Sequence, residues 1–497
     1  MRVTSGSRVR RWLVASTIAA TIGAIDPIGV GAAAQDRRLV DAAKRNEAAT
    51  VRALLAEGVD VNAVGVDGTS PLQWAVHHED VALVAHLLRA GAQANAANRY
   101  GVKPLSIAST NANVAIIEAL LTAGADPNTS QPEGETALMT AARTGSAEIV
   151  KLLIARGADV NALESWRGQT ALMWAASEGH AAVVRLLVAH GADIRARSIL
   201  PQRSGVRGPP GGRPGGMTPI LFAVRGGHIA TTLALLQAGA SVNEQAPSGN
   251  SLLHLAIVNA HFELAAALVK AGADTNALGP LPDTFTPLHL LVQVRRPAWT
   301  TKPSPVPSGN LDSLDLMKAL VAHGARIDAP LPPPQPRRAD PDDESVPPPG
   351  EGATPLWLAA RGPDPDAMRT LIAMGADPLA KTQDGVTVLM TAAGLGYRQG
   401  PRETLEADVL ESVKIALEHK GDVLAADAQG NTALHGAALR GANSTVLLLL
   451  DRGAKIDAKN QKGQTPLHIA EDASDVRSQP VTAALLRKLM NDRVGAQ

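Results

Sequence analysis

Gly134-Glu135-Thr136-Ala137-Leu138-Met139-Thr140-Ala141-Ala142-Arg143-Thr144-Gly145-Ser146-Ala147-Glu148-Ile149-Val150-Lys151-Leu152-Leu153-Ile154-Ala155-Arg156-Gly157-Ala158-Asp159-Val160-Asn161-Ala162 holds one complete structural unit. Thr136 can N-cap a first helix, and Ala137-Leu138-Met139 with Ala141-Ala142 gives that helix a thin apolar face suited to close packing. Gly145 breaks it. A second helix runs from Glu148 to Ile154, with apolar residues at helical spacing and Glu148 in the first turn, where a carboxylate complements the helix dipole. Gly157 stands where a left-handed C-cap is needed. Asp159-Val160-Asn161-Ala162 then leads through a polar turn to the next unit. In other units Pro follows the capping residue, as in Ser70-Pro71, Thr218-Pro219, Thr286-Pro287, Thr354-Pro355 and Thr465-Pro466. Proline loses nothing at a first helical position, because its missing N–H would be unpaired there anyway.

Outward from this unit the pattern recurs. Gly58, Gly91, Gly124, Gly157, Gly191, Gly239, Gly272, Gly324, Gly375, Gly421 and Gly453 are spaced by 33 residues four times, by 34 and 32 once each, and by 48, 52, 51 and 46 elsewhere. A 33-residue period with occasional insertions marks stacked supersecondary units rather than one globule. The predicted fold is all-α: about twelve helix-turn-helix units between residues 37 and 490, with a short tail over 491–497. At about 10 Å per stacked helix the array is expected to extend over roughly 110 Å and to curve. Such a chain is a long recognition surface, to which any active site would have to be added.

The motifs resemble the ankyrin repeat family over more than nine tenths of the chain. The best matches to its G-x-T-P-L-H-x-A-A pattern are Gly463-Gln464-Thr465-Pro466-Leu467-His468-Ile469-Ala470, Gly168-Gln169-Thr170-Ala171-Leu172-Met173-Trp174-Ala175-Ala176 and Gly430-Asn431-Thr432-Ala433-Leu434-His435. The resemblance implies that His254, His289, His435 and His468 are structural, bridging neighbouring turns. Gln73, Ser106, Met139, Met173, Leu221, Trp357 and Met390 replace that His in seven repeats. The unit from Thr284 has Thr at the Gly position and lacks the Ala pair, so it is expected to be the least regular.

Composition agrees. The 497 residues carry 47 basic and 47 acidic side chains, which argues against electrostatic capture of nucleic acid. Alanine-rich helices bury little area each, so stability has to be summed over many interfaces. Without cysteine there is no disulfide framework, thiol catalyst or thiolate metal site. The N-terminus reads as an export signal: Arg2, Arg8, Arg10 and Arg11 precede an apolar run from Trp12 to Ile25, and Ala32-Ala33-Ala34 offers a cleavage site. The run is too short to span a bilayer. Residues 1–34 are therefore assigned as a signal peptide, and the product as periplasmic or secreted with no membrane span; Asp26 and Pro27 leave an uncleaved anchor as the alternative.

Four insertions break the period: 197–216, rich in Gly, Pro and Arg; 295–310, within one unit; 329–352, rich in Pro; and 397–407, again within a unit. Pro333-Pro334-Gln335-Pro336-Arg337-Arg338 fits an SH3-type ligand pattern but reads as a stiff spacer. His77-His78-Glu79-Asp80 holds metal-capable side chains, yet adjacent helical positions point apart. Neither a metal, a cofactor nor a catalytic constellation is expected. The resemblance implies binding through hairpin tips and the exposed ends of first helices. It nominates Tyr100, Arg143, Trp166, Arg167 and Glu178, from three consecutive units, ahead of Glu135, Arg225, Phe285, Arg361 and Arg440. Exposed Trp, Tyr and Arg are the types that carry interface energy. The expected function is non-catalytic binding of another protein, the alternative being an accessory subunit of an envelope enzyme or redox system.

Overall fold

A computed structural model describes residues 36–199, 216–280, 284–296, 309–333, 350–396, 405–472 and 479–494. The signal segment 1–34 and most of the four insertions lie outside the described residues. Among the described residues, 24 α-helices form twelve consecutive pairs. The first six pairs are α1 (Arg38–Lys44) with α2 (Ala48–Ala56), α3 (Pro71–His77) with α4 (Val81–Arg89), α5 (Pro104–Asn111) with α6 (Val114–Thr122), α7 (Ala137–Thr144) with α8 (Ala147–Ala155), α9 (Ala171–Glu178) with α10 (Ala181–Ala189), and α11 (Pro219–Arg225) with α12 (Ile229–Gln237). The other six are α13 (Leu252–Val258) with α14 (Phe262–Lys270), α15 (Pro287–Arg295) with α16 (Ser313–Ala322), α17 (Pro355–Arg361) with α18 (Pro365–Ala373), α19 (Val388–Ala393) with α20 (Glu406–Glu418), α21 (Ala433–Arg440) with α22 (Asn443–Asp451), and α23 (Pro466–Glu471) with α24 (Pro480–Val494). Odd-numbered helices stack on each other in one layer, and even-numbered helices from α4 to α22 stack in a second layer behind them.

The local chemistry explains each element. Thr136 caps α7 by accepting the Met139 N–H, and Ser146 caps α8 through the Ile149 N–H. Thr286, Thr354 and Thr465 cap α15, α17 and α23 in the same way, with Pro at the first helical turn of each. Gly145 terminates α7 at φ +79°, and a Cβ there would meet the His180 ring at 2.6 Å. The position therefore needs glycine for both backbone and space. Ala141, Ala142, Ala175 and Ala176 are fully buried where α7 and α9 meet, so the layer has no room for larger side chains. Leu153, Leu187 and Leu235 close the interface between the layers. Each contributes about 1.5–3 kcal/mol by leaving water.

Two polar ladders join successive units. Asn62, Asn95, Asn128 and Asn161 each donate to a glycine carbonyl of the next unit (Gly91, Gly124, Gly157 and Gly191) and each accepts a backbone N–H there. The second ladder uses the third residue of the first helix. His254 Nε2 pairs with the Phe285 carbonyl at 2.8 Å, His289 with Ala353 at 3.2 Å and His435 with Gln464 at 3.1 Å. Gln73 and Trp357, which replace that His, donate to Val102 and Val386 at 2.6 and 3.1 Å. The substitutions keep the bridge because what matters is one side-chain N–H at that reach.

The insertions are narrower than their sequence suggests. Ser198 is buried and its N–H donates to Met217 O at 3.0 Å, while Leu331 N–H donates to Ala353 O at 2.9 Å, so both interruptions begin from closed hairpins. Arg295 belongs to α15. Its guanidinium makes a forked pair with Asp364 at 2.8 and 3.1 Å and also bonds Ser313. Glu406 and Ala407 are not part of the fourth interruption but open α20, where Glu406 accepts the Ser444 N–H at 2.9 Å and Asp408 pairs with Arg296 at 2.8 Å. The unit from Thr284 keeps its Thr286 cap and its His289 bridge despite the missing Ala pair.

Candidate binding surface

Between units the chain forms hairpin tips that pair edge to edge. The Arg99 N–H donates to Asp67 O at 2.9 Å, Ser165 N–H to Glu133 O at 3.0 Å and Ile199 N–H to Arg167 O at 2.6 Å. Three further tips repeat the contact at Gln383, Ala428 and Gln461. Each tip is braced from within. Asn98 Oδ1 accepts the N–H groups of Tyr100 and Val102 at 3.0 Å, and Asp427 Oδ1 accepts those of Gln429 and Asn431 at 2.9 and 2.7 Å.

The tip carrying Trp166 is one residue longer, and Glu164 fills the bracing role. Only 6 % exposed, Glu164 accepts the N–H groups of Trp166 at 2.6 Å, Arg167 at 2.7 Å and Gln169 at 3.1 Å. Charge-assisted bonds of this kind are about twice as strong as neutral ones. They hold Trp166, 57 % exposed, on a fixed loop, with the Arg167 guanidinium 4.2 Å from its ring. The exposed side chain of Ile199 lies beside this tip, against the position where a Gly168 Cβ would be.

Arrays of this kind are what family comparison also finds. The model for ankyrin repeats in three copies matches residues 39–131, 115–198, 206–278 and 404–491; that for many copies matches 172–236, and that for a single ankyrin repeat matches 351–383. The chain belongs to the ankyrin repeat family. It is similar to the B-cell lymphoma 3 protein homolog of Mus musculus, 39 % identical over 123 residues, 24 % of this chain and 26 % of that protein. It also matches the SH3 and multiple ankyrin repeat domains protein 2 of Homo sapiens, 30 % identical over 181 residues, 32 % of this chain and 9 % of the relative. A third relative is the transient receptor potential cation channel subfamily A member 1 homolog of Caenorhabditis elegans, 33 % identical over 125 residues, 25 % of this chain and 9 % of the relative. The matched stretches cover about a quarter of these relatives' length or less.

Within this ankyrin array the five nominated residues fall into two rows. Tyr100, 66 % exposed, and the Trp166–Arg167 pair are on tips, but the Pro132–Glu133 tip stands between them. Arg143 and Glu178 are instead at the exposed ends of α7 and α9. Arg143 pairs with Glu135 at 3.4 Å and lies 5.4 Å from the Trp174 ring. Two of the further nominees are corrected. Arg361 is buried at 9 % exposure against Trp357, and burial lowers its guanidinium pKa to about 10. Phe285 is half-buried and stacks on His289, 6.3 Å between ring centres. Both are held by the fold.

Trp74 and Trp174 are the residues the sequence reading missed. Each is half-buried three positions before the end-of-helix row; helical spacing puts Trp74 beside His77 on its own helix, whereas the stacking of α7 on α9 brings Trp174 to Arg143 of the previous unit. His254, His289 and His435 are the expected bridges, whereas His468 in the last unit is exposed and bonds its own helix cap, Thr465, rather than a neighbouring turn. Burial lowers the pKa of His254 and His435, and lowers that of His289 to about 4, keeping the rings neutral as bridges. Of the His77–Asp80 cluster, His78 bonds the Lys44 carbonyl at 3.0 Å and Asp80 caps α4. Among the described residues no group of three His, Asp or Glu side chains converges, and no helix is long and apolar enough to cross a membrane.

Proposed function

We propose that the chain is an exported scaffold that binds another protein through its concave, hairpin-bearing face, without chemistry of its own and without nucleic-acid binding. Ankyrin arrays generally serve as protein-interaction scaffolds, and this chain belongs to them. The observation that carries the reading is the presentation of Trp166. A large aromatic ring is left in solvent on a loop whose backbone is fixed by a buried carboxylate, so little ordering entropy remains to be lost on docking. Export rests on the basic start, the apolar run and the Ala32–Ala34 site.

The test is affinity capture from the envelope fraction, followed by titration of the captured partner against Trp166→Ala. Loss of a buried anchor is expected to cost roughly 2 kcal/mol or more, about thirtyfold in Kd, with helix content unchanged by circular dichroism. Unchanged affinity in a folded variant moves the binding face away from this tip. Intact-mass analysis of the envelope protein tests export separately. A chain beginning near Gln35 is expected, and one still beginning at Met1 rules out cleavage.

A further inference from the structure

The exposed side of the first-helix layer from α1 to α11 carries two registers of side chains, three residues apart on each helix and therefore on one face. The inner register is apolar on four of the six helices, with Trp74, Ile107 and Trp174 half-buried and Phe222 buried in the core, and it is polar at Asp41 on α1 and Thr140 on α7. The outer register is cationic at Lys44, Arg143 and Arg225, all exposed, with His77 between the first two. The two registers touch. Lys44 Nζ is 5.6 Å from the Trp74 ring, Arg143 is 5.4 Å from Trp174, and Arg225 is 5.1 Å from Phe222. Among the described residues Lys44 and Arg225 form no ion pair, while Arg143 has a 3.4 Å contact with Glu135.

We propose that this face takes an extended, acidic protein segment, with carboxylates on Lys44, Arg143 and Arg225 and apolar side chains on the aromatic register. The inference rests on the protein-binding reading and adds the partner's chemistry. Charge complementarity selects the class. The face is not a continuous cationic track: Asp41, Glu135 and Glu178 lie on it, and Asp67 is within electrostatic reach of Lys44. A nucleic acid, with a phosphate at every step, would meet these carboxylates, whereas a peptide needs an acidic residue only opposite each cation. Five unit spacings of about 10 Å separate α1 from α11, which an extended segment of about fifteen residues spans. Cations already stacked on aromatic rings lose little rotamer freedom when a carboxylate arrives.

The test pans a random 20-residue peptide display library on the full chain, and then titrates the best synthetic peptide against charge-reversal variants. Selected peptides are expected to be enriched in Asp and Glu over the library. Lys44→Glu, Arg143→Glu and Arg225→Glu should each weaken binding about tenfold, and affinity should fall steeply with salt. Arg89→Glu, on the second-helix layer, should change nothing, and circular dichroism checks that each exposed substitution leaves the helices intact. Selected peptides without acidic enrichment, or indifferent to the three reversals, overturn the inference while protein binding itself stands. Selection of no peptide also overturns it, and the Trp166 titration then decides the broader reading alone. Binding of an oligo-dT 30-mer that displaces the peptide and is lost in the same variants overturns it in favour of nucleic acid.

Discussion

Replacing His289 by Gln is expected to remove an acid-sensitive weak point in the eighth unit. His289 is fully buried, with Nδ1 2.7 Å from Thr286 Oγ1 and Nε2 3.2 Å from the Ala353 carbonyl. Desolvation lowers its pKa from 6.5 to about 4. A base whose folded pKa is depressed favours the folded state fully above the unfolded value. That stability is lost as pH falls from about 6.5 towards 4, because the unfolded chain takes up the proton first. The linkage relation gives a loss of about 2 kcal/mol at pH 5 and about 3 kcal/mol at pH 4. Gln at this position has a precedent in the chain, since Gln73 bridges to Val102 and also accepts the Ser70 N–H. His289→Gln should therefore cost about 1 kcal/mol or less at pH 7.5. Hydrogen exchange of peptides covering α15, corrected for the intrinsic rate at each pH, reads the opening free energy. The wild type should lose about 2 kcal/mol between pH 7.5 and 5, and the variant only a small part of that. An equal loss in both would refute the assignment of the acid sensitivity to this ring.

Hydrogen exchange along the whole array should show the stretch from Thr284 to Gly421 opening before residues 67–194. The Asn ladder is unbroken through the latter, whereas Asp328 accepts the Asp377 N–H but has no amide to donate onward; uniform protection would sink this expectation. Arg295→Ala should destabilise the α15–α18 block by about 3–5 kcal/mol, because it strands the Asp364 carboxylate at 0 % exposure, and urea denaturation at pH 7 measures it. A cost below 1 kcal/mol would mean that water replaces the guanidinium.

Much of this architecture is legible along the chain because its contacts are local and periodic. Thr136, Gly145 and Gly157 set the ends of two helices by backbone rules that need no knowledge of the neighbours. The 33-residue spacing then requires each unit to stack on the next, since no unit can bury its apolar face alone. The equivalence of Gln73, Trp357 and His289 was hidden, because three unlike side chains share only one N–H at one reach. Arg361 read as exposed from its place at a helix end, and only packing against Trp357 buries it. Glu164 stands in the loop before Trp166, and the fold turns its carboxylate inward onto three N–H groups.

By itself, then, the sequence determined the family, the helix pairs and the order of stacking, all consequences of interactions within some 33 residues. Tertiary structure decided which side chains meet across units: Arg143 over Trp174, Lys44 over Trp74, and Arg295 onto Asp364 from 69 residues away. Those pairings depend on the rotation from one unit to the next, which no local rule encodes, and they give the surface its aromatic and cationic registers.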